Sequence, residues 1–512
     1  MGKMRGEMRV INFNIGLGWA SSGVEYAQAY REKIFRNLPV EDYYVFLGMT
    51  KENMASMAKN IGIPSEKIIW VYNFFSDIAL QEAKMNLAQV LLEYGVATEF
   101  VMEPRNKDIQ VVNNKDRNEY LRVYFKKDLD LVERVELVSH GNLIRKDFYT
   151  STRWMSEFYE PVDKKAKLTL REVYNEDRGI ALAEIVNVAD ENLNTYLLDD
   201  RIYFNKAELI AEFVRRLQPT ASDVLILDRA TDIAEPILLN KEAAKTGFVV
   251  HAEHYSKNNT DDEHILWNNY YDYQFTNIDI FDFVITATEL QKVKLSEQLE
   301  KYNNKIPKIY AIPVGALEQI KPVQERAENH FVTASRLASE KHIDLLVKAV
   351  GQVLKDGYDV SFDIYGEGSQ RKMLEDLIRS LNVSENVKLL GHQNMASLYS
   401  KYGLYLTASK SEGFGLTLME AVGDGLPIIG LDVPYGNQTF VVEAENGYLI
   451  PLSDDDEQVV KQLAGRIEEF LGMNDKTSFH QNSYRLAEAF TVEQLQKKWL
   501  DLFEELTNAD TI

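Results

Sequence analysis

Two glutamates bracket a glycine-rich segment at residues 411–420, which reads Ser-Glu-Gly-Phe-Gly-Leu-Thr-Leu-Met-Glu. Apolar residues predict a strand before this segment and a helix at its end, so Glu412 would lie in a loop and Glu420 on the helix. Backbone N–H groups at a helix start bind phosphate, and Gly413 and Gly415 permit close backbone approach. Ionised carboxylates accept hydrogen bonds from sugar hydroxyls. The pattern suits a nucleotide sugar, although favourable charge at a helix start would also explain Glu412.

Arg336 and Lys341 are five residues apart, after a predicted strand and near a predicted helix start. A departing diphosphate carries charge that must be stabilised without a strong acid. An arginine fork and a lysine ammonium group would stabilise it. Solvated side chains are the commoner fate of such residues, but the position after a strand favours a role in binding.

Two further turns follow predicted strands of the same region. Gly366 follows a strand at Ser361–Tyr365, and Gly391-His392 follows a strand at Val387–Leu390. A nucleobase could stack there or hydrogen-bond to the backbone. A simple tight turn explains these patterns equally well, so both interpretations stay open.

His251 and His254 flank an Ala-Glu pair just after the apolar run Phe248–Val250. Histidines at this spacing beside a glutamate suggest a metal, but no third ligand is evident, so no metal site is predicted. A histidine at the carboxyl end of a strand is better placed to contact a sugar or an acceptor hydroxyl. We therefore predict that His251 takes part in the chemistry, with a buried structural histidine as the alternative.

Alternating short strands and helices must position these side chains. A strand at Met8–Ile15, a glycine loop at Gly16–Gly23 and a helix at Val24–Leu38 predict the first unit of an α/β domain. The same rhythm returns at Glu208, and a second α/β unit begins at His330. Two such units in tandem predict a ligand-binding cleft at the carboxyl ends of their strands.

Residues from about 76 to 205 have a different pattern. Closely spaced segments with alternating apolar and polar residues are separated by turns; they include residues 121–125, 131–137, 167–174 and 194–198. This pattern predicts an inserted antiparallel sheet with one wet face. Its aromatic residues fit a core or a partner surface, with a core position the commoner for any one of them.

The chain has 512 residues, no cysteine and a formal net charge of −22. The absence of cysteine excludes disulfides and thiolate metal sites. The charge argues against broad neutralisation of nucleic acid or anionic lipid. The segment Val10–Ala20 contains polar and glycine residues, which predicts a strand and loop rather than a signal peptide. No run approaches the ~18 apolar residues that span a bilayer, so we expect a cytoplasmic protein.

Five longer motifs extend over nearly the whole chain: Gly-Leu-Gly-Trp-Ala-Ser-Ser-Gly-Val-Glu-Tyr-Ala at 16–27, Gly-Asn-Leu-Ile-Arg-Lys-Asp at 141–147, Val-His-Ala-Glu-His-Tyr-Ser at 250–256, Ile-Leu-Trp-Asn-Asn-Tyr-Tyr-Asp-Tyr at 265–273 and Pro-Tyr-Gly-Asn-Gln-Thr-Phe at 434–440. With the Glu412–Glu420 pair and the Arg336–Lys341 clamp, they resemble the retaining glycosyltransferases of family 4. Within that family they are most similar to the A subunits of the accessory secretion system, which O-glycosylate serine-rich repeat adhesins. The Tyr-Gly-Asn-Gln at 435–438 departs from the wider family, where many members have Gly-Gly and an acidic residue, but it matches the A-subunit pattern.

The resemblance implies an α/β protein of GT-B fold, with two Rossmann-like domains facing a cleft and an inserted antiparallel β-domain. The implied domains are a discontinuous N-terminal Rossmann-like domain on the acceptor side (1–75 and 206–315), an extended β-sheet domain that engages partner and acceptor (76–205), a C-terminal nucleotide-sugar domain (316–490) and a C-terminal helix that packs back on the N-terminal domain (491–512).

The resemblance also implies the reaction, which is transfer of N-acetylglucosamine from UDP-N-acetylglucosamine to Ser/Thr of serine-rich repeat adhesins, the first glycosylation step before export. No cofactor or metal is expected, since the UDP-sugar is a substrate. The implied partner is a related, inactive B-type subunit in a hetero-oligomer. No nucleic acid is expected, and membrane contact would be at most peripheral, at the inner face of the cell membrane.

The residue roles follow from the same resemblance. Glu412 would contact the donor sugar, Glu420 the ribose, and His251 the sugar and acceptor. The implied catalytic residues are Glu412, His251, Arg336 and Lys341. The implied donor-binding residues are Gly16, Leu17, Gly18, Arg336, Lys341, Gly366, His392, Gly413, Phe414, Gly415, Leu416 and Glu420.

Two alternatives remain. One is another family-4 transferase that uses UDP-glucose or a glycan or teichoic-acid acceptor, and the inserted β-domain disfavours the latter. The other is an inactive, acceptor-binding relative, which would be expected to lack Arg336, Lys341 or Glu412. All three residues are present, so an active enzyme is predicted.

Overall fold

The computed structural model describes residues 8–18, 23–95, 101–114, 118–190, 193–305, 307–321, 325–395 and 398–508. Part of the predicted glycine loop, residues 19–22, lies outside the described residues. The chain divides into two compact units, residues 1–25 with 40–246, and residues 26–39 with 247–512. None of the described helices is long and apolar enough to cross a membrane.

The strands fall into a βα part, a long β-only run and a second βα part. They are β1 (Met8–Asn14), β2 (Val40–Phe46), β3 (Ile68–Trp70), β4 (Val101–Met102), β5 (Ile109–Asn114), β6 (Glu119–Phe125), β7 (Val132–Ser139), β8 (Asn142–Tyr149), β9 (Arg153–Val162), β10 (Lys165–Tyr174), β11 (Ile180–Ile185), β12 (Thr195–Leu198), β13 (Arg201–Tyr203), β14 (Val224–Leu227), β15 (Lys245–Val250), β16 (Phe283–Thr286), β17 (Ile309–Ala311), β18 (Ala327–Ala334), β19 (Ser361–Tyr365), β20 (Val387–Gly391), β21 (Tyr402–Thr407), β22 (Ile428–Leu431) and β23 (Gly447–Ile450).

The α-helices are α1 (Gly23–Phe35), α2 (Met54–Ile61), α3 (Val71–Phe74), α4 (Leu87–Glu93), α5 (Lys206–Leu217), α6 (Ala234–Leu238), α7 (Asp272–Thr276), α8 (Glu289–Gln298), α9 (Ile343–Lys355), α10 (Arg371–Ser380), α11 (Leu416–Gly423), α12 (Gly436–Phe440), α13 (Asp456–Gly472), α14 (Thr477–Ala487) and α15 (Val492–Asn508). Short 3₁₀ turns lie at Ser65–Lys67, Lys257–Asn259, Ile278–Ile280, Ser339–Lys341, Tyr399–Lys401 and Glu488–Phe490, and a π-helical turn lies at Leu299–Asn303.

The first unit contains four parallel strands in the order β14-β1-β2-β3. In β1, Val10, Ile11 and Phe13 are all buried. Near-continuous apolar strands of this kind are typical of a parallel sheet that is covered on both faces. The strand ends at Asn14, and Gly16–Gly18 follow it as a loop.

The first unit also contains a ten-stranded antiparallel sheet in the order β13 to β4, in which neighbours in sequence pair with one another. Alternation places Leu121, Val123 and Phe125 of β6 in a core with Val112 and Val135. The predicted antiparallel β-domain is therefore confirmed. The sequence did not predict β8 and β9, because buried charged side chains interrupt their apolar pattern.

The second unit contains two groups of parallel strands, in the orders β17-β16-β15 and β20-β19-β18-β21-β22-β23. Helices α9 and α13 cover one face of the six-stranded sheet with a continuous hydrophobic core. Helix α15 packs on α1, where Trp499 and Phe35 have ring centroids 4.9 Å apart and Gln496 donates to the carbonyl of Ile34. The predicted second α/β unit is confirmed.

Candidate active site

The loop between β21 and α11 carries the paired glutamates. All six residues of β21 are buried, so the strand fixes where the loop begins. Gly415 has a φ of 85° and caps α11, and its carbonyl accepts hydrogen bonds from the N–H groups of Leu418 and Met419. This left-handed conformation favours glycine, which accounts for the second glycine of the motif.

Lys341 and Glu412 form an ion pair, a contact that the sequence did not predict. The Lys341 Nζ lies 2.6 Å from Glu412 Oε2, and the two side chains are 18% and 21% exposed. Lys341 ends the 3₁₀ turn that precedes α9, whereas Glu412 comes from the loop before α11. Two elements 71 residues apart thus place a cation and a carboxylate side by side at a partly open position.

Arg336 lies in a more exposed position than Lys341. Its side chain is 67% exposed and pairs with Glu340 at 2.9 Å. The loop that carries it rests on the Gly366 turn, where a Cβ atom on Gly366 would lie 1.8 Å from the carbonyl oxygen of Ser335. Position 366 requires glycine for two reasons, the positive φ of 131° and the lack of space for a Cβ atom. This supports the tight-turn interpretation. The turn in turn supports the loop that carries Arg336.

Glu420 lies on the second turn of α11 and is half-buried. The hydroxyl of Tyr30 donates to Oε1 at 2.6 Å, and the hydroxyl of Tyr399 donates to Oε2 at 3.4 Å. Burial raises the pKa of the Glu420 carboxyl, while the two tyrosine hydroxyls act in the opposite direction. Glu420 is therefore a carboxylate held by hydroxyl donors, in contrast to Glu412, which is held by an ammonium group.

The segment after β15 packs directly on the loop that carries Glu412. A Cβ atom on Gly413 would lie 2.3 Å from the carbonyl oxygen of His251. The backbone N–H groups of Tyr435 and Gly436 donate to the carbonyl of Glu412 at 2.9 and 2.8 Å. His251, the predicted reactive histidine, is half-buried and adjoins this packed region. The missing side chain of Gly413 lets the backbone of the Glu412 loop approach the backbone of His251.

His254 fits the alternative of a structural histidine. It is fully buried, its Nε2 lies 2.6 Å from Gln298 Oε1, and its Nδ1 lies 3.4 Å from the hydroxyl of Tyr435. Burial, together with the nearby Lys294, lowers the pKa of the imidazole to about 4, although the contact with Gln298 acts in the opposite direction. Within the part of the chain that the structure describes, no group of three or more His, Asp or Glu side chains could hold a metal ion.

Three of the predicted binding residues, Phe414, Leu416 and His392, differ in burial. Phe414 is only 3% exposed, and its ring packs against Phe440 and Phe490 at 5.2 and 6.1 Å. Its side chain therefore belongs to the core, and only its backbone is available to a ligand. Leu416 begins α11 and is half-buried, while His392 is exposed at the end of β20.

Gly16, Leu17 and Gly18 follow β1 in the first unit. Leu17 is buried, whereas a Cβ atom on Gly16 or Gly18 would meet no atom within 4 Å. Neither glycine is therefore required by crowding from the described residues. Their role in binding remains a prediction.

Four aromatic and charged residues were not predicted as site residues: Tyr30, Tyr399, Lys294 and Tyr435, the last of which lies in the 434–440 motif. Tyr435 donates to Glu253 at 2.5 Å, and the Lys294 ammonium lies over the Tyr435 ring at 5.7 Å. Tyr30 is separated from Glu420 by 390 positions. Nothing in the local sequence marks such a distant pair, so only the folded chain identifies these residues.

The second unit holds an ammonium–carboxylate pair at the loop before α11, the N-terminus of α11, and an exposed guanidinium on the loop after β18. Positive groups beside a helix start can bind a diphosphate, and the two carboxylates can accept hydroxyl donors. These groups match the diphosphate and the hydroxyls of a nucleotide sugar.

Comparisons with known proteins give a consistent result. The family "Glycosyl transferases group 1" matches residues 317–484, and the family "GtfA extended beta-sheet domain" matches residues 102–200. The UDP-N-acetylglucosamine–peptide N-acetylglucosaminyltransferase GtfA subunit of Streptococcus parasanguinis is 43% identical over 508 residues, which cover 98% of this chain and 100% of that protein.

Two solved structures are similar over the same length. The pneumococcal O-GlcNAc transferase GtfA in complex with UDP and GlcNAc has a TM-score of 0.94 and 41% identity, covering 98% of this chain and 100% of that one. A GtfA/B complex contains a chain with a TM-score of 0.89 and 42% identity at the same coverage.

Proposed function

The chain belongs to the GtfA family of UDP-N-acetylglucosamine–peptide N-acetylglucosaminyltransferase subunits, and on that premise we propose that it transfers N-acetylglucosamine from UDP-N-acetylglucosamine to Ser/Thr hydroxyls of a protein, with retention at the anomeric carbon. Membership confirms the GT-B fold and the enzymatic activity implied by the sequence. The acceptor we propose is a serine-rich repeat adhesin, glycosylated in the cytoplasm before export. The partner we propose is a B-type subunit, because a related chain forms a GtfA/B complex.

The observation that carries the site assignment is the Lys341–Glu412 pair at the start of α11. On donor binding, Lys341 and Arg336 stabilise the diphosphate as the glycosidic bond breaks. Glu412 accepts hydrogen bonds from the sugar hydroxyls. The acceptor attacks from the face that UDP leaves, and its proton passes to an oxygen of the departing phosphate, which accounts for retention without a strong acid.

His251 and Glu420 complete this assignment at the two ends of the donor. His251 follows β15 and adjoins the Glu412 loop through the Gly413 contact, so it contacts the transferred sugar and the acceptor. Glu420, one helical turn beyond the α11 start, accepts from the ribose hydroxyls.

A pair of variants tests the Lys341–Glu412 assignment. Lys341→Ala and Glu412→Gln should each lower transfer to a Ser/Thr-rich peptide by about 10²–10³-fold, the usual loss on removing one charge-stabilising group. Intact mass of the peptide and release of UDP measure the reaction for each common UDP-sugar. Lys348→Ala, which removes a half-buried lysine paired with Asp344 on α9, is the matched control and should retain full activity.

The same assay separates the remaining alternatives. Transfer from UDP-glucose in place of UDP-N-acetylglucosamine would change the assigned donor. Transfer to a polyol or glycan with none to peptide would contradict the proposed acceptor. Full peptide transfer by Lys341→Ala would contradict the proposed site.

A further inference from the structure

Both oxygens of the Glu420 carboxylate face tyrosine hydroxyls, but the two contacts differ in strength. The Tyr30 contact of 2.6 Å is typical of a hydroxyl bound to an ionised carboxylate, whereas the Tyr399 contact of 3.4 Å is long. Tyr30 lies on α1, and Tyr399 lies in the 3₁₀ turn before β21. Tyr30 is therefore the stronger partner of Glu420.

A count of acceptor positions shows what Glu420 still offers. A carboxylate has about four lone-pair positions, two on each oxygen. One position on each oxygen faces a tyrosine, so one on each oxygen remains. Two vicinal hydroxyls can donate to these two positions together, whereas a single hydroxyl can fill only one. This count of acceptor positions fits the two hydroxyls of a ribose better than the single hydroxyl of a deoxyribose.

Groups around Glu420 shift the pKa of its carboxyl in both directions. Burial and the nearby Asp424 raise the pKa of Glu420, while Tyr30, Tyr399 and Lys321 lower it. Lys321 is itself paired with Asp424 at 2.9 Å. Burial also raises the pKa values of both tyrosine hydroxyls well above the usual range, so both remain donors. Loss of the Tyr30 hydroxyl would remove the largest of the influences that keep Glu420 ionised.

We propose that Tyr30 is a positioning residue for ribose recognition: its hydroxyl orients Glu420 and keeps it an acceptor for both ribose hydroxyls of the donor nucleotide. Tyr30 thereby sets the preference for a ribonucleotide over a 2′-deoxyribonucleotide. This inference rests on the proposed contact between Glu420 and the ribose.

Tyr30→Phe in the full-length chain tests the proposal, because it removes only the hydroxyl. Calorimetric titration should show UDP binding about tenfold more weakly, the loss expected for one hydrogen bond to a charged group. Binding of 2′-deoxy-UDP should weaken by a smaller factor, so the preference for UDP should shrink. In turnover, KM for UDP-N-acetylglucosamine should rise while kcat is unchanged.

The pH profile of UDP binding separates positioning from general damage. An ionised Glu420 can accept hydrogen bonds on both oxygens, whereas a protonated one becomes a donor at one of them, so UDP affinity should fall as pH falls through its pKa. Without the Tyr30 hydroxyl that pKa is higher, and the fall should begin at a higher pH than in the unaltered protein. The phosphate of UDP titrates identically in both experiments, so it cancels in the comparison.

Two further variants make the result decisive. Tyr448→Phe removes another tyrosine–glutamate hydrogen bond, to Glu469 at 3.0 Å, and should leave UDP binding unchanged. Glu420→Gln should reduce the preference for UDP over 2′-deoxy-UDP; if it does not, the ribose contact itself is wrong. If Glu420→Gln reduces the preference but Tyr30→Phe leaves UDP affinity, preference and pH profile unaltered, or weakens both nucleotides equally, Tyr30 does not position Glu420.

Discussion

The two cations of the predicted phosphate clamp, Lys341 and Arg336, occupy different environments. Lys341 is mostly buried and holds Glu412, whereas Arg336 extends into solvent beside Glu340. An exposed ion pair contributes between nothing and about 1 kcal/mol to folding, so Arg336 can leave Glu340 for a ligand at little cost. A substitution of Arg336 should therefore test its proposed role in catalysis with little effect on the stability of the fold.

Arg336→Ala should leave the free energy of unfolding within about 0.5 kcal/mol of its original value, because the residue is exposed. Donor turnover should nevertheless fall about 100-fold, since one diphosphate contact is lost. Denaturant unfolding and UDP release measure the two quantities. Glu340→Ala removes the same surface pair from the other side and should change neither. Equal turnover in the two variants would exclude Arg336 from the reaction.

His254 makes the stability of the second unit dependent on pH. Its pKa is about 4 in the folded protein and about 6.5 when unfolded, so the unfolded chain binds more protons between these values. Stability should therefore fall as pH drops from about 6.5 to 4, by up to about 3 kcal/mol. Urea midpoints at pH 7 and pH 5 measure this dependence.

Two substitutions control the pH experiment. His254→Gln keeps a polar side chain without the titration, so it should flatten the dependence between pH 7 and 5 even if it lowers stability at both. His264→Gln alters a histidine that is 80% exposed and should leave the slope as it was. A slope that survives in His254→Gln would assign the acid sensitivity to other groups.

At the scale of elements, the glycine loop before α11 depends on its contact with the segment after β15. Gly413→Ala would place a Cβ atom 2.3 Å from the His251 carbonyl, and neither backbone can yield without moving Glu412 or His251. We expect a loss of stability of about 1–3 kcal/mol and a larger loss of transfer activity. Thermal unfolding and peptide transfer test both effects.

Gly465→Ala is the matched control for the Gly413 substitution. Gly465 lies within α13, and a Cβ atom there would meet nothing within 4 Å. Alanine should stabilise the helix by about 0.5–1 kcal/mol and leave activity unchanged. If Gly413→Ala behaves like Gly465→Ala, the loop tolerates displacement and its position does not govern catalysis.

The elements also show what a single sequence can predict. The predicted strand Ser361–Tyr365 has the same bounds as β19, because its apolar residues Phe362, Ile364 and Tyr365 are buried in a parallel sheet. Strand β9 was missed, because Glu157 lies within it and is buried only through its pairing with Arg171 of β10. A charge that is neutralised by a neighbouring strand looks like a loop residue in the sequence.

The residues of the candidate site also differ in how far the sequence alone predicts them. Glycines with left-handed or crowded backbones, such as Gly415 and Gly366, are visible in the sequence because no other residue fits there. Phe414 was placed at the ligand by its motif, but its side chain serves the core. Tyr30 has no local signal, since its partner Glu420 is reached only through the packing of α1 on α11.

At the scale of the whole molecule, the proposed partner subunit raises a question of coupling. The donor-contacting groups proposed above, Arg336, Lys341, Glu412 and Glu420, all belong to the second unit of this chain. The partner is therefore expected to act on the protein acceptor rather than on the nucleotide. Thermodynamic linkage allows two independent tests. If the partner does not change the affinity for UDP, then UDP cannot change the affinity of the two subunits for each other.

The B-type subunit should increase the rate of transfer to a serine-rich peptide while leaving the Kd for UDP unchanged within about twofold, a coupling free energy below about 0.5 kcal/mol. Calorimetric titration of UDP into the chain alone and into the complex measures how much the partner changes the affinity for UDP. The affinity of the two subunits for each other, with and without saturating UDP, measures the reverse effect, and the two fold-changes must be equal. A tenfold change of UDP affinity in the complex would mean that the partner reshapes the donor site, and the division of labour between donor and acceptor recognition would then be wrong.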